Sequence, residues 1–321
     1  MTSPISMQSP EILTLGEPLI EFNQTTPLGK HYLQGFGGDV STVAVAASRF
    51  GARSGIISRV GSDQFGELLL DLWRQEHVDS QFVLRDPTAP TGVYFVSHSE
   101  TGHRFSYLRS GSAASRITPE QLPLAAISAA RWLHVSAISQ AISESSSNTV
   151  SAAITAARAA GTFVCYDPNL RLALWPLERA RQTIRSTVAL ADLFLPSLED
   201  IVTLSEATSP DQALEWCIAA GARQVVLKLG ARGALAYIDG KKYEIQPHRV
   251  SLVDATGAGD CFAGVLLASL CAGEAMQTAL THANTAAALA TTGYGAVAPL
   301  PTRDQVMQIL SSRTLESSHV G

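Results

Sequence analysis

The feature that most constrains this chain is a glycine turn that runs directly into a stretch of small and apolar residues. Residues 254–260 read DATGAGD, and residues 261–268 continue as CFAGVLLA with helical character. The start of a helix leaves several backbone N–H groups without intrahelical partners. Together with the positive end of the helix dipole, these donors form an anion-binding site. The stretch therefore predicts that an anionic group binds at this turn.

Asp260 closes the turn and lies at the rim of the predicted anion site. A bound anion repels a carboxylate, so the presence of an acid here needs an explanation. One explanation is that Asp260 accepts a proton from a hydroxyl group that attacks a phosphoryl group. The alternative is an ordinary loop with an acidic helix cap, because short glycine motifs often match by chance. The remainder of the chain must decide between the two.

Composition excludes several classes of protein. The chain has 321 residues, which suits one large α/β domain with an insert, or two domains. Apolar residues make up 46% and charged residues 16%, which excludes a disordered chain. The net charge is −5 and no basic cluster stands out, so we expect no nucleic-acid partner and no anionic membrane surface. An anionic small substrate would need local arginines.

Other cofactor and targeting signals are missing from the sequence. The eight histidines show neither HxxxH nor HExxH spacing, so no zinc site is indicated. The first strand pattern ends in a glycine but lacks the GxGxxG fingerprint of NAD sites. The four cysteines lack CxxC spacing, which predicts reduced thiols. Residues 1–10 show no signal peptide and no long apolar run follows, so we expect a cytoplasmic protein.

Strand and helix patterns alternate along most of the chain and predict a mainly parallel sheet covered by helices. Near the N terminus, Gly37 and Gly38 precede a small-residue helix, and adjacent glycines let a backbone approach a ligand closely. Asn169 and Arg171 follow a strand that ends at Asp167, where α/β sheets bind ligands. The alternative for Gly37 and Gly38 is a simple turn with a helix cap. The alternative for Asn169 and Arg171 is that they only cap an ordinary loop.

A hairpin interrupts this alternation. Residues 92–98 and 103–109 alternate in strand fashion around a turn at residues 100–102. Tyr94, Tyr107 and Arg109 have parities that could place them on one face. An arginine with two phenols suits a planar carboxylate and several hydroxyl groups. The hairpin is either a flap over a binding site or a solvated surface feature.

The order of these motifs is similar to that of the PfkB (ribokinase) family of sugar kinases, from about Ile12 to Pro301. Two signatures carry the resemblance: the Gly37-Gly38 turn with its helix, and residues 254–260, which are close to the family's DTxGAGD. The resemblance implies an α/β fold, with a ribokinase-like three-layer α/β/α core, a mainly parallel central sheet and a small β-sheet lid. It also implies that residues 1–321 form one ribokinase-like unit. The lid segments would be approximately 17–36 and 88–112, and the remainder would be the nucleotide-binding core.

Within the family, the chain is most similar to the 2-keto-3-deoxygluconate kinases. The shared features are GEPL at residues 16–19, FGGD at 36–39, YLR at 107–109 and DPNLR at 167–171. This resemblance implies an enzyme that transfers a phosphoryl group from ATP to the terminal hydroxyl of that keto-acid. Two alternatives stay open: a PfkB kinase for a neutral sugar such as fructose or ribose, and a non-catalytic nucleotide or sugar sensor.

The family's motifs imply a role for each matching residue of this chain. Catalysis is expected from the base Asp260 and from the amides of Gly257, Ala258 and Gly259. The substrate-binding residues are expected to be Gly37, Gly38, Asp39, Tyr94, Tyr107, Arg109, Asn169, Arg171 and Asp260. The nucleotide-binding residues are expected to be Ser197, Lys228, Gly230, Gly257, Gly259 and Asn284. Glu199 is expected to organise Mg²⁺ through water.

ATP and Mg²⁺ are therefore the implied cofactors, and relatives also allow K⁺ near Asp254, although no spacing indicates it. The chain departs from the family at two positions. Pro196 replaces an asparagine of the family's NxxE segment, and Thr42 replaces an asparagine that contacts substrate. The expected partner is a small sugar or sugar acid. A homodimer through the lid is also expected, because an exposed edge strand can pair between subunits.

Overall fold

A computed structural model describes residues 9–24, 26, 29–99 and 102–318. The N-terminal residues 1–8, where no signal peptide was predicted, lie outside the described residues. The same holds for residues 100 and 101 of the predicted hairpin turn. Among the described residues, no helix is both long and apolar enough to cross a membrane.

The described residues form two sheets and the helices that cover the larger one. The strands are β1 (Ile12–Leu15), β2 (Leu19–Gln24), β3 (Tyr32–Gly37), β4 (Ser54–Gly61), β5 (Val83–Asp86), β6 (Val93–Ser99), β7 (Gly102–Leu108), β8 (Trp132–Ser136), β9 (Phe163–Asp167), β10 (Leu193–Phe194), β11 (Val225–Lys228), β12 (Ala234–Ile238) and β13 (Lys241–Ile245). The helices are α1 (Asp39–Arg49), α2 (Gln64–Gln75), α3 (Leu124–Ala129), α4 (Ala137–Ala141), α5 (Glu144–Ala160), α6 (Leu177–Val188), α7 (Leu198–Ser205), α8 (Pro210–Ala219), α9 (Ala258–Cys271), α10 (Met276–Ala290) and α11 (Arg303–Ser318).

The large sheet has the order β13-β12-β11-β10-β9-β8-β1-β4-β5 in the described part of the chain. Its strands run parallel except at one end, where β12 pairs antiparallel with both β11 and β13. Alternate residues of β1 enter different apolar clusters: Ile12 packs into one, whereas Leu13 and Leu15 pack into the other. The sheet is thus buried on both faces, as parallel sheets are. The predicted three-layer α/β/α core is confirmed.

The second sheet has the order β3-β2-β6-β7, in which β2 and β6 are parallel and the outer pairs antiparallel. Its strands fall within residues 17–36 and 88–112, except that β3 extends to Gly37. A small sheet separate from the core is therefore confirmed. Its action as a lid and a homodimer through its edge strands stay predictions.

Helices α1 and α9 bring the two glycine turns together. Gly38 is the N-cap of α1 and Gly257 is the N-cap of α9. The two helices pack closely, because a Cβ at Gly264 would lie 2.5 Å from the carbonyl oxygen of Val43. The same side of the sheet carries the carboxyl ends of β1, β9 and β11, where α/β sheets bind their ligands. Motifs far apart in sequence thus meet at one edge.

Candidate active site

A cavity of ≈ 850 Å³ lies between this edge of the large sheet and the small sheet. It collects almost all residues that the sequence singled out. Those that line it are Gly38, Asp39, Tyr94, Tyr107, Arg109, Asn169, Arg171, Ser197, Glu199, Lys228, Gly230, Gly257, Ala258, Gly259 and Asp260. The shared cavity brings the predicted anion turn, the second glycine turn and the hairpin into one site.

Two predicted site residues do not line this cavity. Gly37 ends β3 and leaves no room for a side chain, because a Cβ there would overlap the hydroxyl of Tyr94. Asn284 lies within α10, and its side-chain amide donates a hydrogen bond to the carbonyl oxygen of Gln246 at 2.9 Å. The sequence indicated a helix around Asn284 but not which side of it faces the cavity. Substrate contact by Gly37 and nucleotide contact by Asn284 stay predictions.

Asp254 fixes the anion turn. Its Oδ1 accepts hydrogen bonds from the amide of Thr256 at 3.0 Å and the hydroxyl of Thr256 at 2.6 Å. Its Oδ2 accepts from the amide of Gly295 and from the side chain of Asn23, both at 3.0 Å. Burial alone would raise the pKa of Asp254, but these bonds outweigh it and hold the pKa below its usual value. Asp254 therefore stays ionised and holds the turn in one geometry.

Gly257 adopts φ = 77°, which favours glycine. A Cβ there would lie 2.8 Å from the carbonyl oxygen of Ala296. Among the described residues, no side chain caps the N terminus of α9 that follows. The amide of Ala258 makes a long bond of 3.3 Å to the carbonyl of Ala255, so the next amides of α9 are the better placed donors. This geometry suits a phosphate group.

Asp260 stands in the first turn of α9, half-buried at the cavity wall. Burial, together with the nearby charges of Asp39 and Asp167, raises its pKa to about 8. Lys228 and Arg171 oppose this rise. A carboxyl group with a pKa near the working pH can both accept and release a proton, as a general base must.

Asp39 is a second acid at the cavity, at the start of α1. It is 93% buried, since its relative exposure is 7%, and neither carboxylate oxygen has a well-formed hydrogen bond among the described residues. Burial raises its pKa above the usual value, although Ser136 and the amide of Val40 act in the opposite direction. Asp39 therefore offers an acceptor that a ligand hydroxyl could satisfy.

Lys228 forms an ion pair that the sequence did not reveal. Its Nζ lies 2.5 Å from Oδ2 of Asp167, and Oδ1 of Asp167 accepts a hydrogen bond from the amide of Asn169 at 3.0 Å. Burial would lower the pKa of Lys228, but Asp167 outweighs it and raises the pKa above its usual value. The two residues meet because β9 and β11 are separated by a single strand, β10.

Arg109 also has a protein partner. Its guanidinium forms an ion pair with the buried carboxylate of Glu17, and that carboxylate accepts a hydrogen bond from the hydroxyl of Ser112. The guanidinium carbon lies 5.4 Å from the centre of the Tyr107 ring. Glu17 follows the first strand, and sequence reasoning missed it because only the folded chain brings it beside Arg109.

Arg171 differs from Lys228 and Arg109 in its surroundings. It is exposed, and its one described hydrogen bond goes to the carbonyl oxygen of Leu170 at 3.3 Å. Among the described residues, no carboxylate forms an ion pair with Arg171. Its charge is therefore available to an anionic ligand in the cavity.

The hydroxyl of Tyr94 donates a hydrogen bond to Glu21, an acid between the apolar residues Ile20 and Phe22 of strand β2. Burial raises the pKa of Glu21 to about 7. A Cβ at Gly295 would lie 2.7 Å from Oε1 of Glu21, so this acid joins the small sheet to the loop that holds Asp254. Sequence reasoning missed Glu21, although an acid between two apolar residues of a strand was the available signal.

Comparison with known proteins identifies the family. The pfkB family carbohydrate kinases match residues 9–303. A 2-dehydro-3-deoxygluconokinase from Thermoproteus tenax is 34% identical over 310 residues, covering 94% of each chain. A fructokinase from Vibrio alginolyticus is 34% identical over 282 residues, covering 85% of this chain and 91% of its own. The crystal structure of a fructokinase from Vibrio cholerae with fructose, ADP and a calcium ion bound has a TM-score of 0.85 at 30% identity, covering 94% of this chain and 99% of that one. The chain, whose cavity joins an anion turn to a carboxyl group able to accept a proton, therefore belongs to the pfkB family of carbohydrate kinases.

Proposed function

We propose that this kinase transfers the γ-phosphoryl group of ATP to the terminal hydroxyl of 2-keto-3-deoxygluconate. The observation that carries the proposal is the exposed Arg171 guanidinium in the cavity, which has no ion-pair partner among the described residues. A free guanidinium suits the carboxylate of a sugar acid, and the phenols of Tyr94 and Tyr107 suit its hydroxyl groups. The relatives support the kinase family, but the keto-acid kinase and the fructokinase are equally similar to this chain, so the residues of the cavity are what distinguish the acceptors.

In this proposal the acceptor hydroxyl gives its proton to Asp260 as its oxygen attacks the γ-phosphorus, and the bond from phosphorus to ADP breaks. The free amides at the start of α9 donate to the phosphoryl oxygens where negative charge is concentrated. Tyr94 and Tyr107 come from the small sheet, so closure of that sheet over the acceptor would exclude water.

Glu199 fits an indirect role in holding magnesium. It lines the cavity in the first turn of α7, whereas no group of three or more acidic, histidine or cysteine residues in the described part of the chain could hold a metal ion by itself. Mg²⁺ is commonly bound through one or two carboxylates, water and substrate phosphates. When bound, it would neutralise charge on the phosphate oxygens. With Pro196 in place of asparagine, the acids of this segment are Glu199 and Asp200, and both line the cavity.

A kinase for a neutral sugar is the second candidate. Asp39 favours it, because a buried carboxylate with open hydrogen-bonding positions binds a hydroxyl group and repels an acid. The fructokinase match at the same identity as the keto-acid kinase agrees with this alternative.

An ADP-release screen with 2-keto-3-deoxygluconate, gluconate, fructose and ribose tests the proposal. We expect the keto-acid to give the highest kcat/KM. Arg171→Met should lower that value by about tenfold to a hundredfold, the range of a lost hydrogen bond to a charged group, and should leave turnover of fructose nearly unchanged. A clear preference of the unmodified enzyme for fructose would reject the keto-acid assignment. An absence of acceptor-dependent ADP release across the panel would instead indicate a sensor.

The pH dependence of the reaction offers a separate test of Asp260. A base must be deprotonated to act, so a pKa raised to about 8 predicts that kcat/KM rises with pH and levels off above that value. Asp39→Asn removes one of the charges that raise this pKa and should move the rise to lower pH. The profile is measured with both substrates below saturation, so that it reports the pKa of the base in the free enzyme. A flat profile between about pH 6 and about pH 9 would contradict Asp260 as the titrating base.

A further inference from the structure

Lys228 lies directly at the anion turn rather than at a distance from it. It ends β11, and its Nζ would be 3.3 Å from a Cβ placed on Gly259. The side chain is 14% exposed, so its ammonium group is largely withdrawn from solvent while still lining the cavity. An ammonium group in this position faces the site where the amides of α9 would hold a phosphoryl group.

The hydrogen bonds of Lys228 leave donors to spare. A lysine ammonium has three N–H donors. Within the described residues, Asp167 accepts one of them, and no other side-chain or backbone oxygen accepts a hydrogen bond from the Lys228 ammonium group. Asp167 is itself held by the amide of Asn169. The pair thus fixes the ammonium in place while leaving donors free to bind phosphoryl oxygens.

The position of Lys228 favours a role in the transfer step over a role in nucleotide binding alone. Both Asp260 and Gly259 belong to the turn beside Nζ, and Asp260 is the proposed base for the attacking hydroxyl. A cation at that point acts on the group that is transferred. A residue that only holds the nucleotide would contact parts of ATP that keep the same charge throughout the reaction.

We propose that Lys228 is a catalytic residue that donates hydrogen bonds to the oxygens of the transferring phosphoryl group, and that Asp167 is the residue that positions it. In the step, the acceptor O–H proton passes to Asp260 and the new O–P bond forms. The bond between phosphorus and the β,γ-bridging oxygen breaks, and its electron pair leaves with ADP. Lys228 keeps its proton throughout. The inference rests on the phosphoryl transfer of the proposed function, but not on the identity of the acceptor.

Lys228→Met tests the inference, because methionine has a similar length and no charge. We expect kcat to fall by about 10²–10³-fold, as when one preorganised donor to the transition state is removed. The Kd of ADP, measured by calorimetry, should change less than about threefold, since a contact made only in the transition state does not contribute to ground-state binding. The matched control is Lys242→Met. Lys242 also pairs with an aspartate, Asp211 at 2.6 Å, but lies outside this cavity, and its variant should retain normal kcat.

Asp167→Asn tests the positioning role through a double-mutant cycle. Alone, it should lower kcat and leave the Kd of ADP unchanged. Combined with Lys228→Met, it should cause little further loss, because it acts only through Lys228. The double variant also removes both charges of the buried pair, so it provides a folded reference if Lys228→Met alone is unstable.

A Lys228→Met variant with normal kcat and a weakened Kd for ADP would overturn the inference and assign Lys228 to nucleotide binding. Additive losses in the double-mutant cycle would overturn the role of Asp167. The kcat values of the Lys228 and Asp167 variants are measured with the acceptor that gives the highest kcat/KM in the screen. Poor turnover of the keto-acid would therefore reject the proposed acceptor while the test of Lys228 proceeds with fructose.

Discussion

Asp260→Asn is expected to lower kcat by about 10²–10⁴-fold, the usual contribution of a positioned general base. Asparagine keeps the shape of the side chain but cannot accept a proton from the attacking hydroxyl. The amides at the start of α9 remain, so the variant should retain ADP binding and a residual rate above that of the uncatalysed reaction.

The same variant should not be destabilised at neutral or alkaline pH. Asp260 has a pKa of about 8 in the folded protein, far above the value of 3.8 for an unperturbed aspartate, mainly because of burial. The folded state therefore binds the Asp260 proton more tightly than the unfolded state, so ionisation of Asp260 lowers stability as pH rises above the unfolded value. An uncharged asparagine removes this cost.

Steady-state ADP release and thermal unfolding at pH 8 test both expectations together. Asp304→Asn is the matched control, because Asp304 is an exposed aspartate in the first turn of α11, and neither activity nor Tm should change. Near-normal turnover by folded Asp260→Asn would reject Asp260 as the base. Loss of activity accompanied by unfolding would reject the stability argument.

The sequence could predict the parts of this site that are built locally. The turn at residues 254–260 has a geometry set by its own residues: Asp254 accepts hydrogen bonds from Thr256, and Gly257 supplies a positive φ. The strands of the core are short apolar runs, and a parallel sheet places their carboxyl ends at one edge. Residues that follow these strands, such as Asn169 and Arg171, could therefore be assigned to one cavity.

The pairings across the site could not be predicted in this way. Asp167 meets Lys228 because β10 alone separates their strands, and Glu17 meets Arg109 because the hairpin folds back beside the end of β1. Neither strand order nor the placement of the small sheet follows from the periodicity of residues within one segment. Arg109 and Arg171 were both expected to bind the substrate, but Arg109 pairs with Glu17, whereas Arg171 has no ion-pair partner among the described residues.

Arg109→Met is expected to destabilise the protein by about 3–5 kcal/mol, the usual cost of removing one partner of a buried ion pair. The carboxylate of Glu17 is fully buried, and burial raises its pKa above the usual value while Arg109 lowers it. Without Arg109, Glu17 would be an uncompensated buried charge that keeps only its hydrogen bond from Ser112. This variant would therefore report mainly on folding and not on recognition of the acceptor.

The sign of the pH dependence follows from Glu17. Loss of Arg109 raises the pKa of Glu17 in the folded state further above its unfolded value of about 4.5. The folded state then holds the Glu17 proton more tightly, so the variant loses stability as pH rises above the unfolded value. The free energy of unfolding of Arg109→Met, relative to the unmodified protein, should therefore be lower at pH 8 than at pH 5, both approximate conditions.

Arg109→Met combined with Glu17→Gln should recover most of the lost stability, because replacing both partners of a buried pair is often neutral. Urea unfolding measures each variant, and Arg74→Met is the control: Arg74 pairs with Asp71 on the surface, where a pair contributes about 0–1 kcal/mol. An Arg109→Met variant as stable as the control would show that the Glu17 pair contributes little. If the double variant is stable and still prefers the keto-acid, the carboxylate of the acceptor is bound by Arg171. If it loses turnover of the keto-acid but keeps that of fructose, Arg109 binds the acid in spite of its pairing with Glu17.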